Sequence, residues 1–400
     1  MLASEKKSNK IGLVGRLVLA IVIGIIIGSL PFIPEWFIKI LVTLSGLFSA
    51  FLGFFIPLMI IGLVTKGIAD LTEGAGKLLG ITALTSYLST IIAGSIAYFT
   101  AKNLFPSFIT SDLVNKITEA GDGVDPFFTI PLSPILDVTA AIVLAFMMGL
   151  SISWLRSKNE SSRLYKITCE FERVIVKVLN TVVVPFLPFY ILGNFANMSF
   201  SGAVFAVLSI FWKVFIVVII MHILYIALMF FVFGGYAGKN PLQLIKNQVP
   251  GYMTAVGTQS SAATIPVNIE CAIKNGVSEQ IRNFVVPLCA TIHLAGSMIT
   301  ITSCSVALLL MYDLPHDFTT ILGFICMLGI AMVAAPGAPG GAIMSALPFL
   351  PMVGISTDAM QQLMISLYIT QDSFGTAANI SGDNAIALFI DKIYTEKIKE

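Results

Sequence analysis

Four hundred residues, 56% of them hydrophobic and only 11% charged, at a mean hydropathy of +0.92, exclude a soluble domain, because soluble chains carry roughly 25% charged residues. A net charge of +1 without a basic tract gives nucleic acid no footing as a partner, and five scattered cysteines build neither a disulfide framework nor metal-ligand spacing. What remains is the polytopic membrane class.

The first apolar run, 11–32, carries Lys6, Lys7, Lys10 and Arg16 around its start, as a signal peptide would. It is too long for a signal core and lacks a clear cleavage site, so a spanning helix is predicted. Further runs of spanning length follow at 37–64, 78–104, 127–155, 167–197, 201–236, 284–311 and 360–390, for about eight helices. Two other apolar regions, 248–282 and 318–356, are interrupted by small and helix-breaking residues.

Loop charge orients these elements. Lys6, Lys7 and Lys10, Lys66 with Lys77, the cluster Arg156, Lys158, Arg163 and Lys166, then Lys239, Lys246 and the Lys392–Lys399 tail fall on the cytoplasmic side, which puts both termini there. The largely acidic stretch 111–125 and Asp313, Asp317 and Asp358 fall outside. Region 248–282 has basic residues at both ends and region 318–356 has Asp317 and Asp358, so each is predicted to return to the side it came from. Two opposed re-entrant hairpins, each followed by a helix, form the inverted pair that points to a transporter's binding site. The alternative, ordinary kinked helices giving ten to twelve spans, misplaces charged loops.

The first hairpin tip reads Thr258-Gln259-Ser260-Ser261-Ala262-Ala263-Thr264-Ile265-Pro266. Its half-helix end offers hydroxyls and free N–H groups suited to a carboxylate, although Ser and Ala also serve close helix packing. The second tip, Ala334-Ala335-Pro336-Gly337-Ala338-Pro339-Gly340-Gly341-Ala342, must break its helix. Freed carbonyls there can hold Na⁺ and the segment can hinge, or it is a passive kink. Between the tips, His293 sits inside a span, where it could pair, bind or carry a proton.

The last helix carries Gln371-Asp372-Ser373-Phe374-Gly375-Thr376-Ala377-Ala378-Asn379-Ile380-Ser381-Gly382-Asp383. Asp372, Thr376, Asn379 and Asp383 fall at steps of four, three and four and so share one face. Polar groups at bilayer depth are costly and mark a solute or ion site. A membrane aspartyl enzyme is disfavoured, since Asp372 and Asp383 lie roughly three turns apart on one helix and a shared-proton pair needs contact. No charged ring suggests a channel.

On Ser260-Ser261-Ala262-Ala263, Ile265-Pro266-Val267-Asn268, Ala290-Thr291-Ile292 and Gln371-Asp372-Ser373, with Phe55-Ile56-Pro57-Leu58-Met59 in the early helices, the chain resembles the dicarboxylate/amino acid:cation symporter family. Within it, the likeness is to the bacterial sodium:serine/threonine symporters. The resemblance implies an all-α homotrimer in the cell membrane, surrounded by lipid, with an elevator-like mobile domain. Scaffold would comprise 1–77 and 105–200; transport domain would comprise 78–104, 201–246 and the core 247–400. It implies that Asp372 pairs with the substrate's amino group, that Asn379 with backbone around Ser260 and Ser261 holds the α-carboxylate, and that Thr376 meets the side chain. Gly337, Ala338, Pro339 and Gly340 would close over the ligand.

Where acidic-substrate members carry arginine, this chain has Gly375 and Gln259, so the resemblance implies a small neutral amino acid, serine or threonine foremost. No cofactor is implied beyond Na⁺ as coupling ion. The family's seventh-helix motif reads His293-Leu294-Ala295-Gly296-Ser297 here, which removes the carboxylate of a cation site with Thr85 and Ser86. A second site would use Asn379, Asp383 and the Cys289 carbonyl, beside His293. A third would use Thr291 with carbonyls around Ala334 and Ala335. Hard cations prefer oxygen to imidazole, which favours the Thr291 site for Na⁺ and leaves His293 to pack or to titrate.

Overall fold

A computed structural model describes residues 13–66, 69, 76–110, 123–136, 138–158, 163–332 and 340–395. Among the described residues all regular structure is helical. The early helices are α1 Leu13–Ser29, α2 Glu35–Met59, α3 Gly76–Leu104, α4 Val138–Ser157, α5 Arg163–Val178, α6 Val184–Ser201 and α7 Val204–Met229. Single π-turns carry α2 on through Ile60–Val64, join α5 to α6 through Leu179–Val183 and extend α7 through Phe230–Gly234. Among the described residues five stretches are long and apolar enough to cross a membrane: Glu35–Gly62, Leu78–Ser107, Arg163–Ser201, Val204–Gly234 and Glu279–Met311.

The first helix packs on α6 through Gly24 and Gly28, a small-xxx-small pair that lets two backbones touch. A Cβ on Gly28 would strike the Ala196 carbonyl, and Ser29 Oγ meets Ser199 Oγ at 2.7 Å. The fourth predicted run begins as helix only at Val138, because 123–136 has no regular structure and is rich in proline. Proline removes backbone donors and disfavours helix in the residue before it.

Two helical arms follow where the first hairpin is predicted: α8 Pro241–Thr258 and α9 Ser261–Lys274. Asn240 caps α8, its Oδ1 accepting from Leu242 N, with Pro241 at the first helical position. Gln259 turns the chain in the left-handed region (φ 54°) and Ser260 caps α9. The predicted seventh span is two helices, α10 Glu279–Ile292 and α11 Ala295–Met311, interrupted at His293 and Leu294. The second hairpin supplies α12 Phe318–Ala331 and the short α13 Gly341–Ala346, while Val333–Pro339 of its tip lie outside the described residues. Asp317 caps α12, and the Thr320 N–H and hydroxyl hold its carboxyl below the usual carboxylate range.

The final helix, α14 Asp358–Ile393, runs 36 residues. It and α11 are buried along almost their whole length, and α3, α7, α9 and α10 pack around them. The early helices instead carry most of the exposed large apolar side chains, as lipid-facing helices do.

Candidate functional site

Asp372, Thr376, Asn379 and Asp383 are all buried on α14, and the structure divides them into two clusters. In the first, Gly340 N–H donates to Asp372 Oδ2 (2.7 Å), which ties the end of the second tip to the last helix. The Tyr368 hydroxyl, one turn before, donates to Asp372 Oδ1 (2.9 Å), and Thr376 stands one turn after on the same helix face. Ser297 Oγ lies 3.1 Å from the Tyr368 hydroxyl and accepts from Asn379 Nδ2 at 3.0 Å. The Tyr368 hydroxyl thus has two acceptors in reach, Ser297 Oγ and the Asp372 carboxylate, and Asn379, Ser297, Tyr368 and Asp372 form one hydrogen-bonded network.

Unwinding at His293 and Leu294 explains why Asn379 is needed there. The break leaves the first N–H groups of α11 without carbonyls of their own helix. Asn379 Oδ1 accepts from Gly296 N (2.8 Å) and Ser297 N (3.2 Å), capping α11 from another helix. On the same side of the break, in the first turn of α11, His222 Nε2 of α7 lies 2.9 Å from the Gly296 carbonyl and 3.1 Å from Thr300 Oγ1. Gly296 itself must be glycine, since a Cβ there would collide with the Gly375 carbonyl and Ala378.

The second cluster centres on His293, which is fully buried. Its Nδ1 lies 3.0 Å from Asp383 Oδ1 and its Nε2 3.1 Å from Ser89 Oγ, which in turn meets the Tyr225 hydroxyl at 2.8 Å. With Nδ1–H donating to the carboxylate, Nε2 is left to accept from Ser89. Gly382 makes room for the ring, for a Cβ there would overlap His293 Cε1. The Cys289 carbonyl accepts from His293 N (2.8 Å), and its thiol lies 3.5 Å from Ser86 Oγ. Thr291 faces outward, its hydroxyl donating to the Leu288 carbonyl at 2.8 Å.

Ser260 and Ser261 stand at the first tip, where Ser260 Oγ accepts from Ala263 N (3.2 Å). That hairpin meets α14 deeper, through Asn268, whose Nδ2 donates to the Ile380 carbonyl and whose Oδ1 accepts from Gln248 and Asn384. Ala255 of α8 joins Ala290, Ala377 and Ile380 in a small apolar cluster beside it. The expected contributions of Gly337, Ala338, Pro339, Ala334 and Ala335 lie outside the described residues. Tyr368, Ser297, His222, Ser89 and Tyr225 were not singled out from sequence. Only Tyr368 gave a signal, standing four residues before Asp372 on the same helix face.

Two of the cavities bordered by described residues lie away from Asp372. One of about 550 Å³ sits between α2, α6 and the start of α14, lined among others by Ser49, Asp125, Asn194, Asp358 and Gln362. Another of about 340 Å³ is apolar and borders Ser89 and Tyr225 from the α3–α7 side. Among the described residues no group of three or more His, Cys, Asp or Glu side chains is arranged to hold a metal ion.

Comparison with known proteins adds an independent finding. Residues 13–393 match the sodium:dicarboxylate symporter family. Proteins named serine/threonine transporter SstT from Acinetobacter baumannii strains AYE and AB307-0294 are 27% identical over 406 aligned residues, covering 96% of this chain and 97% of each relative. The protein of the same name from strain ATCC 17978 is 26% identical over the same span.

Proposed function

The chain belongs to the sodium:dicarboxylate symporter family, and from that premise we propose that it carries small neutral amino acids, serine and threonine foremost, together with Na⁺. As a member of that family it is a multi-pass membrane symporter and not an enzyme. The choice of a neutral solute rests on one observation: between Arg282 and Lys392 the chain has no lysine or arginine, and among the described residues no lysine or arginine is buried. A dicarboxylate beside Asp372 would be desolvated with no cation to meet it, at a cost of several kcal/mol.

An amino acid's ammonium group instead finds the Asp372 carboxylate, and its α-carboxylate finds the N–H groups at the start of α11 that Asn379 now caps. Thr376, one turn from Asp372, faces the solute's side chain, and a hydroxyl there suits serine or threonine. Binding competes with the Gly340–Asp372 hydrogen bond, so solute arrival and movement of the second tip are linked. Na⁺ travels with the solute as cargo at Thr291 and the carbonyls of that tip, with Asn379, Asp383 and Cys289 as the further expected ligands. The elevator reading is supported by how α11 and α14 are bonded: α3 through Ser89, α7 through His222 and the first hairpin through Asn268 would travel with them. The remaining early helices would form the fixed scaffold of a homotrimer.

Uptake of labelled serine into proteoliposomes tests this. We expect uptake that needs an inward Na⁺ gradient, is competed by threonine and ignores succinate. Unchanged uptake with choline in place of Na⁺ would sink the sodium coupling, and competition by succinate would sink the neutral solute. A second reading, H⁺-coupled or mixed-cation transport, is favoured by His293 standing against Asp383. It requires His293→Asn to alter the pH dependence of uptake.

A further inference from the structure

We propose that the basic end of α4 together with α5 is a docking surface for the headgroups of anionic phospholipids. The sequence of α5 sorts its side chains into three rows. Thr168 and Ile175 are buried against the protein. Lys166, Glu170, Arg173 and Lys177, at steps of four, three and four, are exposed. Leu164, Ile167 and Val174, at steps of three and seven, are exposed large apolar residues. At 100° per residue the charged row lies opposite the buried one, and the apolar row lies on the flank between them. A helix with protein on one side, hydrocarbon on the flank and charge opposite belongs at a membrane surface. It cannot lie wholly in hydrocarbon, where each of these charges would cost several kcal/mol.

The end of α4 fixes the depth. Trp154 is 56% exposed, and Lys158 Nζ sits 4.0 Å above its ring. The Arg156 guanidinium lies 3.6 Å over the Tyr165 ring. Tryptophan and tyrosine gather at headgroup level, so these cations are held at the depth of lipid phosphates. Over α4's end and α5 the described residues supply Arg156, Lys158, Arg163, Lys166, Arg173 and Lys177 against Glu170 and Glu172. Basic clusters beside a spanning helix attract anionic lipid, each residue raising its local concentration about fivefold. A merely solvated face would not need aromatic rings beneath its cations. Contact with a second copy through Leu164, Ile167 and Val174 is the competing account of the apolar row.

The chain has three tryptophans, so Trp36→Phe with Trp212→Phe leaves Trp154 as the sole reporter. The full-length variant is reconstituted in phosphatidylcholine carrying equal fractions of brominated phosphatidylcholine or brominated phosphatidylglycerol. We expect brominated phosphatidylglycerol to quench Trp154 at least twice as strongly, and added salt to narrow the difference. Lys158→Gln, Arg163→Gln and Lys166→Gln combined should equalise the two lipids, whereas Lys158→Arg with Lys166→Arg should keep the preference. The unaltered protein, released from mixed nanodiscs into a mass spectrometer, should retain phosphatidylglycerol over phosphatidylcholine. Equal quenching by both lipids, a preference that survives the triple neutral variant, or no selective retention overturns the proposal. So does weak quenching by both together with disulfide cross-linking of Ile167→Cys copies, which would place a second copy there.

Discussion

His293 Nδ1 and Asp383 Oδ1 lie 3.0 Å apart with both side chains fully buried, so an imidazole fills a place beside a carboxylate that the family resemblance gives to a cation. Two groups removed from water are tolerable only as partners. Deleting one leaves the other uncompensated at a cost of about 3–5 kcal/mol, whereas replacing both by apolar groups is often close to neutral. Asp383→Leu alone and His293→Leu alone are therefore expected to lower thermal stability in detergent far more than the double variant does. Single variants as stable as the parent would mean the pair contributes nothing to the fold.

Two glycines at the crossing of α11 and α14 differ in what they permit. A Cβ on Gly296 meets the Gly375 carbonyl and, at 2.6 Å, Ala378, while a Cβ on Gly375 meets Thr300 Oγ1 at 3.5 Å and the Gly296 and Ser297 backbone at 3.6 Å, ordinary van der Waals distances. Overpacking of the first kind costs about 1–3 kcal/mol. Gly296→Ala should lose both stability and uptake, and Gly375→Ala should keep both. Equal tolerance at the two positions would contradict the packing described.

Tyr368 and Asp372 make a separable pair. Hydrogen bonds to a charged group are worth about 1.5–3 kcal/mol. Tyr368→Phe should weaken serine affinity by about tenfold or more, with the maximal rate changed less, as measured by uptake against substrate concentration. Asp372→Asn should abolish saturable uptake while the protein still folds, because an amide fills the same volume. Serine-stimulated uptake at parental affinity in Asp372→Asn would remove Asp372 from the binding site.

His222 holds the Gly296 carbonyl where α11 begins, without touching the last helix's polar row itself. His222→Leu removes one of the two side-chain partners of that carbonyl, leaving Thr300 Oγ1 at 3.2 Å, at about 0.5–1.5 kcal/mol, and should raise the substrate concentration needed for half-maximal uptake. His222→Gln, which keeps a donor, should recover part of the loss. Identical behaviour of the two variants would show that volume and not the hydrogen bond matters.

Much of the architecture can be read along the chain, since spanning length and loop charge are local properties. Asn240-Pro241 and Ser260 mark arm starts through capping chemistry, and the steps from Asp372 to Asp383 select one buried face. The break at His293 escapes such reading because neither proline nor a glycine pair enforces it. It is maintained from outside, by Asn379 of the last helix, and such trans capping leaves no pattern in the segment that is capped. The start of the fourth helix was misplaced by eleven residues because 127–137 is apolar enough for a span, yet proline-rich.

By itself the sequence determined a membrane chain of this family, with two interrupted apolar regions and a polar face on its last helix. Those follow from hydropathy, charge and helical period, which need only neighbouring residues. The absence of lysine and arginine between Arg282 and Lys392 was also there to be read. The tertiary structure decided how that face is used. It tied Asp372 to Gly340 and Tyr368, turned Asn379 into a cap for another helix, and set His293 on Asp383. Such pairings join positions tens to hundreds of residues apart, and only burial at one depth brings them within hydrogen-bond distance.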